Sequence, residues 1–581
     1  MTGTAWTVFQ GTTPEPMQVE ILGVLRGARG PGQDLILAQL HGAKPEYTGV
    51  VEGMSGSPVY IGGKLLGSLS YRIGQFAKDP IAGITPIEQM LEVRDIPPGI
   101  SSPDPAGDTQ TVLAAFPSAL GAGLFPNSAV GLTAGNMTFQ PMETPLVMSG
   151  FGPEAIRFWQ RHTAGTTLEP VVAGGGSTGL GSSSASGASP AAAHSTLEPG
   201  SAVSLQLVRG DLEVAATCTV TYIDPRQLLA CGHPVLGAGP VSLPMTTAEV
   251  VTTLASPLNA FKIVNTGVTV GAFTEDRESA LRGILGAQAR MIPLHIAVDA
   301  PDSPPKGTRN VSVEILDLPS LTPVAVQAVL YESLTETNQG SASLSYHLTG
   351  DIDVADFPPV PLDLWASAGD AIPAPLQVSL LAGERFSRLY SNGARQGVVR
   401  KIDLRIQAVP RRVQVTLVEA RLVSSNIVRA GDTIEVEATL RPWQQPERNV
   451  RIPVKLPVRL AECNLRLLVS DAATLDRTLA QPRLPGPPAD LNSILAEARN
   501  GHPADRIYVS LLAPEAQGEI NGQTLTNLPL SVANALEPLR NAQQAGLNGE
   551  SAEVAGEAPA GGVLGGFQIL SLHIEPGGGL N

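Results

Sequence analysis

The chain has 581 residues, 43% of them hydrophobic and only 16% charged, so it can bury several cores, and a length prior predicts about three to five domains. A net charge of −15 argues against nucleic acid or anionic lipid as partners, since both need clustered Lys and Arg. There is no apolar run of about 18 residues, so no membrane span is expected. Zinc spacings, phosphate loops, dinucleotide fingerprints and EF-hand loops are also absent, so no cofactor is expected.

The first residues, Met1 to Gly11, read as the middle of a β-domain, with no basic start followed by an apolar stretch. An extracytoplasmic protein (periplasm, envelope or secreted) whose export signal is missing from this chain is therefore expected, in keeping with a strand-rich, lysine-poor, Gly/Pro/Thr-rich composition. Met17 to Leu25 and Asp34 to Leu40 are strand-like, and His41 follows. Next comes Gly53-Met54-Ser55-Gly56-Ser57-Pro58, a serine set among small residues and followed by the short apolar runs Val59 to Ile61 and Lys64 to Ser68. Gly62-Gly63 joins those runs and supplies the positive φ of a tight hairpin. Small neighbours let backbone N–H groups turn toward an oxyanion, so Ser55 is a candidate nucleophile, with the N–H groups of Gly53 and Ser55 as its oxyanion hole. The alternative is a plain Gly/Ser turn.

Thr85-Pro86 opens a short helix to Val93, with Thr85 as cap and Pro86 at the first helical position. Pro97 to Pro105 reads as a linker, a helix is expected near Glu154 to His162, and Ala173 to Ser195 is a Gly/Ser/Ala-rich flexible tether. Among the eight histidines, His233 has the best setting for a base. It ends the return strand of a hairpin that turns at Asp224-Pro225-Arg226-Gln227. Cys218 and Cys231 flank that turn. Centred between Asp224 and Pro225, the hairpin sets them opposite each other, within reach of a disulfide; centred one residue later, it offsets them by two.

Two blocks together resemble the SpoIVB-type serine peptidases: Gly-Met-Ser-Gly-Ser-Pro with its hairpin and Asp79-Pro80 to Met90-Leu91, and Thr219-Val220-Thr221-Tyr222-Ile223-Asp224-Pro225 to Gly232-His233 with Phe273 to Gly286. The resemblance covers roughly residues 1–100 and 200–290. It implies a chymotrypsin-like double β-barrel cleaving a protein or peptide substrate, with Ser55 as nucleophile and His233 as general base. The chain departs from the family in two ways. Ser55 precedes His233 by 178 residues, so the two halves look permuted, and Leu40 stands where the family carries an aspartate. Asp34 and Asp276 are the leading substitutes for that acid, and Asp79 also lies nearby. A decayed site on an envelope scaffold or binding protein is the rival expectation.

Beyond residue 305, period-2 segments such as Val311 to Ile315, Val324 to Leu330, Leu404 to Val409, Val413 to Val418 and Ile434 to Leu440 predict one or two immunoglobulin-like β-sandwiches. A helix from Leu491 to Arg499, capped by Asp490, and a strand from Ile507 to Leu512 follow. The expected organisation is thus mainly β. Its segments are 1–100 (serine half), 101–172 (role unread), 173–199 (linker), 200–304 (histidine half), 305–410 and 411–485 (sandwich modules), and 486–581 (small α+β region with a mobile Gly/Ala-rich tail).

Overall fold

The computed structural model describes residues 1–73, 79–96, 132–134, 137–163, 166–172, 196–256, 260–300, 307–335, 344–369, 372–390, 399–458, 460, 462–479, 491–499, 501–513, 516–520, 523–541, 545–548 and 551–575. The linkers expected at 97–105 and 173–195, and the cap Asp490, lie outside them. The chain divides into one unit of Met1–Leu294 with Val311–Glu332 and another of His295–Asn310 with Ser333–Asn581.

The first unit begins with β1 (Thr2–Thr7), β2 (Glu15–Gly30), β3 (Gln33–His41), α1 (Ala43–Thr48), β4 (Pro58–Ile61), β5 (Lys64–Ile73), β6 (Ile81–Pro86) and α2 (Ile87–Arg94). Antiparallel pairing runs β1–β2–β3–β6–β5–β4 and returns to β1 through Thr4↔Tyr60 and Ala5↔Val59, closing a six-stranded barrel. Period-2 patterning fills it: Met17 and Val19 on β2 are buried while Gln18 and Glu20 are exposed, and they pack with Ala38, Leu40, Met54, Val59 and Leu69. The β4–β5 turn is as expected, with Gly62 and Gly63 at φ 56° and 79°. At α2 the expectation fails in detail. The helix has no side-chain cap, because the Thr85 hydroxyl donates to the Gly232 carbonyl at 2.8 Å instead.

Further along the unit come β7 (Leu132–Ala134), β8 (Met137–Pro141), β9 (Thr144–Ser149), α3 (Pro153–Thr163) and β10 (Leu168–Val172). They are followed by β11 (Ala202–Gly210), β12 (Glu213–Asp224), β13 (Gln227–Ala230), β14 (Gly239–Leu254), β15 (Phe261–Arg277) and β16 (Ala280–Leu285). The pairings β11–β12–β13–β16–β15–β14 are antiparallel and also return to their start, at Ser204↔Thr246. Met90 and Val93 of α2 pack on Leu229 of β13 and Ala280 of β16, tying the first circuit to the second. Val324 to Leu330, expected as a strand, lies in a helix, Thr322–Thr335. Val324, Ala325, Val326, Ala328, Val329 and Leu330 are all buried, so no amphipathic period betrays the helix.

The second unit departs from two separate sandwiches. Ser345–Val354 pairs antiparallel with Val360–Ala366 and with Val399–Val409, and the helix Ala374–Tyr390 follows in this same region, so 305–410 is not a β-sandwich module. One two-sheet core does form, but it joins Val415, Ile434 and Val454 to Leu465, Val509, Leu572 and Ile574, so it runs past the expected boundary at residue 485. Ser551–Pro559, expected within a mobile tail, is a strand paired with Arg506–Ala513. The expected helix at Leu491–Arg499 is present. No helix among the described residues is long and apolar enough to cross a membrane.

Candidate active site

Ser55 lies in the loop between α1 and β4, and strand β12 of the second circuit grips that loop by its carbonyls. The Thr219 hydroxyl donates to Gly53 O at 2.9 Å, the Thr219 N–H to Ser55 O at 2.8 Å, and the Thr221 hydroxyl to Gly56 O at 2.6 Å. Gly56 sits at φ 94°, and a Cβ there would stand 2.0 Å from Thr219 O and 2.5 Å from Cys231 N, so only glycine fits. The N–H groups of Gly53 and Ser55 donate no hydrogen bond among the described residues. These two free donors, separated by Met54, lie on a loop whose carbonyls at Gly53, Met54, Ser55 and Gly56 all accept hydrogen bonds.

The histidine loop is held reciprocally. Thr85, at the end of β6 in the first barrel, bonds the Gly232 carbonyl, and a Cβ on Gly232 (φ 74°) would meet the Ser68 and Ser70 hydroxyls of β5 at 2.2 and 2.1 Å. Cys218 and Cys231 form a disulfide with a Cα–Cα distance of 5.3 Å. The hairpin turns between Pro225 and Arg226, the register that would offset the cysteines by two, and a bulge between Val220 and Tyr222 takes up one of those residues. The bulged residue is Thr221, whose hydroxyl reaches the serine loop. Closing a loop of 13 residues, the bridge stabilises the fold by about 3 kcal/mol.

His233 is fully buried. Its Nδ1 lies 2.8 Å from Pro234 O, and a carbonyl can only accept, so Nδ1 carries the proton and Nε2 is left with a free lone pair. Burial lowers its pKa to about 4, and the nearby Arg29 charge adds to that effect against the Pro234 bond, so the ring is neutral at pH 7. Neither His233 Nε2 nor Ser55 Oγ, itself fully buried, has a hydrogen-bond partner among the described residues, so no hydrogen bond joins the two.

Neither candidate acid bonds the ring. The Asp276 carboxylate accepts the N–H groups of Val235, Leu236 and Gly237 at 3.0, 2.6 and 3.0 Å, fixing the loop just beyond His233. Burial lifts its pKa to about 6 against those bonds. Asp34 accepts from Gly27 N at 2.8 Å in the exposed β2–β3 turn. The acceptor on His233 Nδ1 is the Pro234 carbonyl instead. His41, the other histidine near Ser55 in sequence, lies 3.4 Å from Glu20 and 3.8 Å from Glu46 at a part-exposed position. No family model, curated protein or solved structure matches this chain.

Two charged residues beside Ser55 escaped the sequence reading. Lys262 of β15 is fully buried, packs its stem on Gly53, and donates from Nζ to the Thr7 hydroxyl at 2.8 Å; burial lowers its pKa to about 7. Glu52 is 2% exposed, and neither of its carboxylate oxygens has a hydrogen bond. Arg72 Nη1 lies 3.9 Å away, and the same guanidinium pairs through Nη2 with Glu143. Burial, then repulsion from Glu143, pushes the Glu52 pKa up to about 8 against the Arg72 charge. Backbone bonds from Glu52 N to Ala260 O and from Lys262 N to Glu52 O tie this stretch to β15.

Proposed function

We propose that the chain is a serine endopeptidase of the SpoIVB type, built as a permuted chymotrypsin-like double barrel and acting on a protein or peptide substrate. The observation that carries this reading is the reciprocal clasp: a Gly-x-Ser-Gly loop on one closed barrel held by β12, and a Gly-His loop at the end of β13 held by Thr85. In the reaction Ser55 Oγ attacks the peptide carbonyl as His233 Nε2 takes its proton, and the N–H groups of Gly53 and Ser55 hold the oxyanion. Nε2 then protonates the leaving amine, and water attacks the acyl-enzyme with His233 again as base. The Pro234 carbonyl fixes the tautomer in place of a carboxylate, making the site a Ser/His dyad. Because both groups are fully buried, substrate enters only when the loops part. The Cys218–Cys231 disulfide supports an extracytoplasmic setting.

The same burial, together with the missing Ser55–His233 hydrogen bond, favours the second reading, a binding protein on which the site has decayed. Labelling with a fluorophosphonate probe separates the two. Under the enzyme reading the wild type labels, Ser55→Ala does not, and His233→Ala labels at least about a hundredfold more slowly, the size of a general-base contribution. Because His233 must be neutral to act, labelling persists below pH 6.5 and fades only as pH falls toward about 4. A wild type that labels no faster than Ser55→Ala establishes the decayed site.

A further inference from the structure

In the second unit, the strand Val360–Ala366 and the helices Ala374–Tyr390 and Leu491–Arg499 line a cleft of about 220 Å³. Its apolar lining comes from Ile352, Val360, Leu362, Leu389, Ile494 and Leu495, all of them buried residues. Arg385, Arg388 and Leu389 stand at i, i+3 and i+4, so one helix face brings two guanidinium groups and an apolar side chain to the same cleft. Arg499 joins them from the last turn of the other helix.

These arginines are not all neutralised. Arg388 pairs with Glu384 at 2.9 Å. Arg499 donates from one Nη to Pro358 O at 2.6 Å, but its Nε is buried without a partner among the described residues. Arg385 makes no ion pair or hydrogen bond among the described residues, and its Nη2 reaches to 3.9 Å from where a Cβ on Gly501 would stand. The carboxylate in the lining, Asp363, is taken by His347 at 2.9 Å, and His502 is turned to Asp476 at 2.7 Å. In a chain with 53 acidic against 38 basic residues, a cleft with guanidinium groups to spare is a local reversal of charge.

An orphaned guanidinium beside apolar walls fits a planar anion with a hydrocarbon body: the carboxylate takes the N–H fork and the body takes the cleft. We propose that this cleft binds a small amphipathic carboxylate, with a medium-length acyl chain lying between the two helices and its carboxylate on Arg385 and Arg499. The site is independent of Ser55. Calorimetry of the full chain with octanoate and with 1-octanol tests it. Octanoate should bind at least about tenfold more tightly than the alcohol, one charge-assisted pair being worth that much. Arg385→Gln and Arg499→Gln should each weaken octanoate tenfold or more, while Ser55→Ala binds as the wild type does. Arg385 is partly exposed and makes no ion pair or hydrogen bond among the described residues, so its variant should keep the wild-type melting temperature. No octanoate binding, equal binding of the alcohol, or an Arg385→Gln protein that folds and binds unchanged would each overturn the proposal.

Discussion

Glu52, three residues ahead of Ser55, is a buried carboxylate with no hydrogen bond among the described residues. Its pKa, about 8 when folded against 4.5 ordinarily, means that the folded state binds the extra proton between those limits. The stabilisation it gives is therefore complete below pH 4.5 and is lost as pH rises through 8, by up to about 5 kcal/mol. Glu52→Gln, which mimics the protonated acid, should remove that loss. Urea unfolding at pH 5 and pH 9 should show the variant matching the wild type at the lower pH and exceeding it at the higher; a parallel fall in both proteins would assign the loss elsewhere. Ser55 and His233 stood out in the sequence as candidates because glycine neighbours and a strand-end histidine are local patterns. Asp34 and Asp276 were not resolvable as orienting acids, since a carboxylate's partner is fixed by distant backbone: Asp276 serves N–H groups about 40 residues away. Thr219 and Thr221 left a faint signal, as two of the three threonines, with Thr217, that alternate along β12.

At the level of elements, the serine loop fits closely against β12. An alanine methyl at Gly56 meets backbone atoms, Thr219 O and Cys231 N, and holds a strained positive φ, so nothing nearby can rotate away. At Gly232 the same methyl meets serine hydroxyls, which can turn. Gly56→Ala should cost about 4 kcal/mol or more and Gly232→Ala about 1–2 kcal/mol, mostly from φ, as measured by denaturant midpoints. Equal costs would mean that β12 yields as easily as a side chain. The β4–β5 hairpin and α2 were readable because turn glycines and a helix-opening proline act within a few residues. The helix Thr322–Thr335 was not, because burial on all sides removes the polar stripe that marks a helix. The register of the Cys218–Cys231 hairpin hid behind one bulge, which no composition rule locates.

On the scale of the whole chain, the second unit's sandwich core misled because its strands are contributed from 414 to 575, so sequence order gave no boundary at 485. The first unit is discontinuous as well. Val313 to Ile315 pair with Val208 to Gly210 at the end of β11, and Glu332 accepts the Gly152 N–H at 2.9 Å. A chain ending at residue 294 should therefore melt roughly 10 °C or more below one ending at 335, or aggregate, as followed by circular dichroism; equal melting would mean that 311–332 adds nothing to this unit. That division also sets a timetable during synthesis. After Leu294 the ribosome must add 38 more residues, including 295–310 that belong to the other unit, before Glu332 is made, a wait of roughly 2–8 s at ordinary elongation rates. Throughout that interval the outer end of β11 lacks its last neighbour, an open strand edge on a nascent chain, which makes this the window in which a holdase or a faulty pairing competes for it.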